Sequence, residues 1–306
     1  MKEPATYRQT IKKVWLTSAT YTIVFQIAAV VAVAVEVLLK PQLLSGDQLE
    51  QIGSPYFFAV AAGLLVILAA SSPRIRQTFF KPGDAPMNWR TFGGLVAVTL
   101  LVQLIFTGYS NGLESLLNSF HLTANAEVDA ATAGSETWSM FIYAGFLAPI
   151  TEELVFRGFI LRTMQPFGPV PAVVLSAYLF GLYHLNIMQS PFAMILGVIL
   201  GYVALKYGIK WSITLHAFNN LVLGDGLGWL LGILPKTASS IVNLLVFVGG
   251  AGLGLYLLWR QLPAFKNWYR TQRPKSGDLR HVFLNWSGVV LTLVSLIIMV
   301  SQIEAK

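Results

Sequence analysis

Residues 146–158 read FLAPITEELVFRG. Two adjacent carboxylates, Glu152 and Glu153, and one guanidinium, Arg157, stand in the middle of an apolar block over 139–163. Crossing a bilayer takes roughly 20 predominantly apolar residues, and this block supplies them. Ionisable groups at such depth are costly and mark function. Glu153 and Arg157 are i and i+4, so they share a helix face and can pair. Glu152 is turned about 100° from Glu153 and has no partner on its own helix. A carboxylate placed in this way can take a proton from water.

The same apolar character extends in both directions. Further blocks lie at 15–39, 56–72, 92–109, 170–187, 192–207, 211–223, 239–259 and 283–303. The reading is an all-α, polytopic transmembrane bundle with about nine spans, eight to ten being the range, in a single membrane domain over 1–306. The first block is too long for a signal-peptide core and reads as a retained span. Hydrophobic residues make up 55% of the 306 and charged residues 11%, against roughly 25% charged in a soluble domain. That composition excludes a disordered chain, an ordinary cytosolic enzyme and a nucleic-acid binder, despite the formal net charge of +7. With no cysteine in the chain, there is no disulfide, thiolate metal site or cysteine nucleophile.

The basic residues orient the bundle. With the N-terminus inside, 18 of the 21 Lys and Arg fall on the tail, the inner loops and the inner span ends, Lys2, Arg157, Arg162, Arg273 and Lys275 among them; Lys40, Lys236 and Lys306 do not. The stretch 110–138 contains no Lys or Arg and reads as a polar extracytoplasmic loop. This follows the positive-inside rule, so the charge reports orientation toward anionic lipid rather than an acidic substrate.

Two further spans carry imidazoles. His184 follows Phe180 by four residues, and His216 precedes Asn220 by four. Glu-Glu-x-x-x-Arg at 152–157, Phe-x-x-x-His at 180–184 and His-x-x-x-Asn at 216–220 thus occur in order on separate apolar segments. Any one of these motifs alone is weak; their order and setting are specific. Together, and with Gly-x-x-Leu-Gly-Tyr at 197–202 leading to the last of them, they resemble the CPBP family of intramembrane proteases. That family includes the type II CAAX prenyl endopeptidases and bacterial proteins linked to bacteriocin self-immunity. The resemblance covers 139–223, the expected catalytic core. It implies peptide hydrolysis within the membrane, with Glu152 and His184 activating water, His216 and Asn220 stabilising the oxyanion, and Glu153, Arg157 and Phe180 holding the site's shape.

The chemistry of these residue types agrees. Peptide hydrolysis needs a base for water and donors for the developing oxyanion, and no cysteine or assembled serine triad competes. Glu152, His184 and His216 could alternatively ligate Zn²⁺ with one position left for water. There is no His-Glu-x-x-His motif, and Glu152 cannot readily be both ligand and free base, so glutamate catalysis is preferred. Each motif also has a plainer reading. Glu153 and Arg157 suit a structural ion pair, Phe180 suits packing, and His216 and Asn220 suit interhelical hydrogen bonds. The glycines at 249, 250, 252 and 254 read as close helix packing. The expected partners are membrane lipids and a hydrophobic, lipidated or membrane-inserted peptide or protein, in a multi-pass, bacterial plasma-membrane setting. The alternatives are a non-catalytic member of the same family, acting in bacteriocin immunity or as a partner-binding regulator, and a proton-coupled transporter.

Overall fold

The computed structural model describes residues 6–40, 52–132, 134–272 and 278–306. Lys2, Arg273 and Lys275, counted above for orientation, lie outside these residues. The described chain is helical apart from two short strands, and the expected all-α membrane bundle is what it forms.

Helix α1 (Tyr7–Leu39) starts at a reciprocal cap, in which the Thr6 hydroxyl accepts from Gln9 N and the Gln9 amide oxygen accepts from Thr6 N at 2.9 Å. It packs along α2 (Ser54–Ala70), where Gly63 leaves room for the Tyr21 ring; a Cβ there would stand 2.6 Å from Tyr21 Cε2. A short α3 (Pro73–Thr78) leads to α4 (Trp89–Asn118), capped by the Asn88 side chain, which accepts from Thr91 N at 2.9 Å. Strand β1 (Leu122–Thr123) and α5 (Asn125–Thr132) follow. The central α6 (Trp138–Phe167) is next, then α7 (Pro169–Tyr183), α8 (Gln189–Lys206), α9 (209–233) and α10 (Lys236–Gln272). The chain closes with α11 (Asp278–Phe283), α12 (Trp286–Ser301) and β2 (Glu304–Ala305). Gly168 and Gly208, at φ +122° and +95°, make the turns into α7 and α9, a backbone region that other residues enter only at a cost.

By length and composition, α1, α4, α6, α8 and α10 are long and apolar enough to cross a membrane, while α2, α7 and α12 are apolar but shorter. Helix α9, broken by His216, Asn219, Asn220 and Asp225, does not reach that standard. Connections alternate between the two ends of the bundle. At one end Pro82 pairs with Gly208, Ala85 N donates to Lys206 O, and Trp15 Nε1 donates to Val282 O at 2.9 Å. At the other, Ser135 N donates to Asp225, and β1 pairs antiparallel with β2, Leu122 opposite Ala305.

Two expectations change here. Residues 110–138 are not an open loop. Helix α4 continues to Asn118 because Leu113, Leu116 and Leu117 keep the helical spacing, and 122–132 fold into β1 and α5. Asn186, just beyond α7, ties this segment down by donating to Glu127 O at 3.0 Å. Arg157 is not an inner-edge charge either; its side chain is fully buried.

The core surrounds α6. Val155, Phe156, Phe159, Ile160 and Leu161 are almost wholly buried, against Leu175 and Phe180 of α7, Leu200 and Val203 of α8 and Leu215 of α9. On the periphery, Ile23, Ile27 and Val30 of α1 and Leu245, Val248 and Leu255 of α10 stay exposed, as side chains facing lipid do. The glycine cluster divides by face. A Cβ at Gly254 would land on the Ala97 carbonyl of α4 and one at Gly250 on Leu100, whereas at Gly249 and Gly252 it would meet nothing within 4 Å. Gly254→Ala is therefore expected to cost about 1–3 kcal/mol through overpacking. Gly252→Ala is expected to be neutral or slightly stabilising, since alanine favours the helix. Unfolding midpoints of the two variants in one detergent check this, and equal midpoints contradict it.

Candidate active site

Two widened, π-type stretches of α6, Tyr143–Leu147 and Leu154–Leu161, bracket the regular segment Ala148–Glu153. Such stretches recur at functional sites. The first has a local cause. Ala148 N bonds to Tyr143 O, one residue further back than in an α-helix. The Ala144 carbonyl would then look to residue 149, which is proline and has no N–H. Asn220 of α9 fills the gap, its Nδ2 donating to Ala144 O at 2.8 Å. Asn219 Nδ2 donates to Asn220 Oδ1 at 3.1 Å, and Gln103 of α4 donates to Asn219 Oδ1 at 2.9 Å. A relay of amides thus connects α4, α9 and α6.

Asn220→Ala is expected to cost about 1–3 kcal/mol by leaving the Ala144 carbonyl without a partner. Pro149→Ala should recover part of that loss, because alanine, unlike proline, brings an N–H to the orphaned carbonyl. A double-mutant cycle on unfolding midpoints checks it, and strict additivity would refute the link.

Glu153 is fully buried and fully engaged. Its Oε1 receives Arg157 Nη1 at 2.7 Å and lies 3.1 Å from His216 Nδ1; its Oε2 accepts from the Ser212 hydroxyl. Arg157 Nη2 donates to Gly197 O at 3.2 Å, and the guanidinium carbon stands 4.4 Å from the Phe180 ring centroid. Gly197 permits this approach: a Cβ there would be 2.9 Å from Ala177 Cα and 3.2 Å from Phe180 Cδ1. The expected i, i+4 pair is therefore present, and it extends into a four-residue network with Ser212 and His216.

Glu152 is buried as well, and His216 is the partner the sequence did not assign. His216 Nε2 lies 3.7 Å from Glu152 Oε2 while its Nδ1 faces Glu153, so one imidazole stands between two carboxylates. His184 Nδ1 is 2.8 Å from Phe180 O. A carbonyl only accepts, so Nδ1 carries the proton and Nε2 is left as an acceptor. Both imidazoles meet the Phe180 ring edge-on, at centroid distances of 4.9 Å for His184 and 5.6 Å for His216. Phe180 is thus the common wall of the site. The structure brings Glu152, Glu153, Arg157, Phe180 and His216 together. His184 joins through Phe180 and makes no ion-pair contact with a carboxylate among the described residues. Asn220 meets α6 about two turns before Glu152.

Sequence reasoning missed Ser212 and the tyrosines. Ser212 lies one turn before His216 on the same face, which was a usable signal. Tyr21 of α1, Tyr143 of α6 and Tyr183 of α7 all lie within electrostatic reach of Glu152. Tyr56 of α2 stacks on Tyr143 at 4.5 Å. A tyrosine within an apolar block carries no mark that separates a site wall from packing.

Among the described residues, no three His, Asp or Glu side chains are gathered as a metal ion would need. The alternative ligand set Glu152, His184 and His216 is not among groups gathered closely enough to hold a metal ion in the described residues. His216 instead turns its nitrogens to the two glutamates, while His184 keeps Nε2 as a free acceptor.

These features define a polytopic helical membrane protein with a buried glutamate–histidine site on its central helix. Residues 134–222 match the model of the family described as Rce1-like: type II CAAX prenyl endopeptidase Rce1-like. In that segment, under a third of the chain, the protein is similar to the CPBP/CAAX-type family, a protease family. All seven motif residues fall inside the match. No curated protein and no solved structure matches the chain.

Proposed function

We propose that this protein is an intramembrane endopeptidase that hydrolyses a peptide bond of a membrane-associated, hydrophobic or lipidated peptide or protein. The observation that carries the reading is the pair of adjacent glutamates in opposite states of engagement. Glu153 is neutralised and locked by Arg157, Ser212 and His216. Among the described residues, Glu152 has only the long contact to His216.

In this reading Glu152 takes the proton of the attacking water and passes it to the nitrogen that leaves as the amine when the tetrahedral intermediate collapses and the peptide C–N bond breaks. His216, oriented by Glu153 at Nδ1, stabilises the ionised Glu152 before the proton transfer and the charge that then develops on the carbonyl oxygen. His184 directs its Nε2 to the water. Asn220 has one amide hydrogen beyond the one given to Ala144 O, and that hydrogen serves the oxyanion. No step requires a metal. The setting is a plasma membrane with the basic end of the bundle facing the cytoplasm.

The experiment is proteolysis by the detergent-purified full chain of a quenched-fluorescent library of hydrophobic and farnesylated peptides, with and without chelator. Cleavage that persists in chelator supports the reading. Cleavage abolished by chelator and restored by Zn²⁺ contradicts glutamate catalysis. A library left uncut by wild type in both detergent and bilayer discs contradicts the protease.

A further inference from the structure

Beyond the buried site, a second constellation lies at the basic end of the bundle. A cavity of about 350 Å³ opens where α3 meets the end of α6, and Arg74, Thr78, Lys81, Arg162 and Gln165 line it. Arg74 and Lys81 are exposed at its rim, and Arg162 is 5% exposed. The Arg162 guanidinium is partly committed: Nη1 donates to Gln165 Oε1 at 2.9 Å, and Nη2 donates to Ala204 O at 3.2 Å and to Lys81 O at 3.5 Å. Its buried Nε–H has no hydrogen-bond partner. Asp84 is near enough to act on Arg162 electrostatically. Among the described residues, however, no carboxylate reaches ion-pair distance of Arg74, Lys81 or Arg162.

Three cations around one cavity, with no carboxylate of the described chain paired to them, call for an anion. The Arg74 guanidinium fork, the Lys81 ammonium and the unpartnered Arg162 Nε–H offer more donors than one carboxylate can accept, whereas a phosphate presents several oxygens at once. The level of the cavity points the same way. Phe80 and Trp89 flank this turn and are 57% and 75% exposed, as aromatic side chains at a headgroup boundary are.

We propose that this cavity binds a phosphate group, supplied by the headgroup of an anionic lipid of the facing leaflet or by soluble phosphate. The bound phosphate joins the α3 turn to the inner end of α6. The site is independent of the peptidase reading.

The test uses the delipidated full chain in a neutral detergent. Affinity is read from the thermal shift on titration with short-chain phosphatidylglycerol, short-chain phosphatidylcholine and inorganic phosphate. Three proteins are compared: wild type, Arg74→Gln/Lys81→Gln, and Lys266→Gln/Arg270→Gln, which removes the same charge from α10. The expected result is stabilisation by phosphatidylglycerol over phosphatidylcholine, weakened roughly tenfold or more in Arg74→Gln/Lys81→Gln and retained in the α10 variant. Equal stabilisation by inorganic phosphate identifies the soluble anion as the source and supports the site. Equal weakening in both double variants overturns the proposal in favour of diffuse surface charge. A wild type that distinguishes none of the three ligands overturns it outright.

Discussion

Glu152→Gln is expected to lower peptide cleavage by about 10²–10⁴-fold, the range for loss of a general base, without shifting the unfolding midpoint. Glutamine has nearly the shape of glutamate, and the side chain it replaces holds no helix in place. Its one ion-pair contact among the described residues, to His216 at 3.7 Å, is longer than a hydrogen bond. The variant keeps an amide where the base was, so binding survives and the chemical step fails. Initial rates on any peptide cut by wild type, with melting curves of both proteins, decide the matter. Undiminished cleavage would remove Glu152 from the mechanism. A loss of cleavage accompanied by a collapse in stability would make it structural.

Glu153→Gln should behave in the opposite manner. It leaves Arg157 buried with an uncompensated charge, weakens the Ser212 contact and frees His216 Nδ1. Breaking a buried pair by removing one partner costs about 3–5 kcal/mol, whereas replacing both by apolar groups is often nearly neutral. The single variant should therefore melt far below wild type, and Glu153→Leu/Arg157→Met should recover much of the loss while still lacking activity. Equal stability of Glu153→Gln and wild type would show that the pair does not hold the fold. The two adjacent glutamates thus yield two different phenotypes, one catalytic and one structural, which a single buried polar network would not produce.

The sequence disclosed these parts unevenly. Apolar blocks gave the helices closely, because burying backbone polar groups in lipid leaves a chain few choices. The Glu153–Arg157 pair was legible because helical spacing is a local rule. The His216 position between two carboxylates was not, since it depends on how α9 crosses α6. The implied oxyanion role of Asn220 conceals a second task, which follows from Pro149 and the carbonyl it leaves unserved five residues earlier. The extension of α4 to Asn118 was readable from three leucines, but the polarity of the neighbouring stretch masked it. Tyr21 and Tyr183 had no sequence signal: their meaning comes from two helices far apart in the chain meeting beside Glu152.

The widened turns of α6 have a consequence for how the chain tolerates change in length. Each such turn holds a little more chain than its axial advance requires, so it acts as slack wound into an otherwise taut rod. Loss of one residue within Tyr143–Leu147 can be absorbed by tightening to ordinary pitch, which leaves the outer turn and the glutamates close to their present orientations. The regular segment Ala148–Glu153 has no such reserve, and a deletion there transmits its whole rotation to the glutamates. Divergence in length along this helix should therefore collect in the coils on either side of the two carboxylates and spare the turn that bears them.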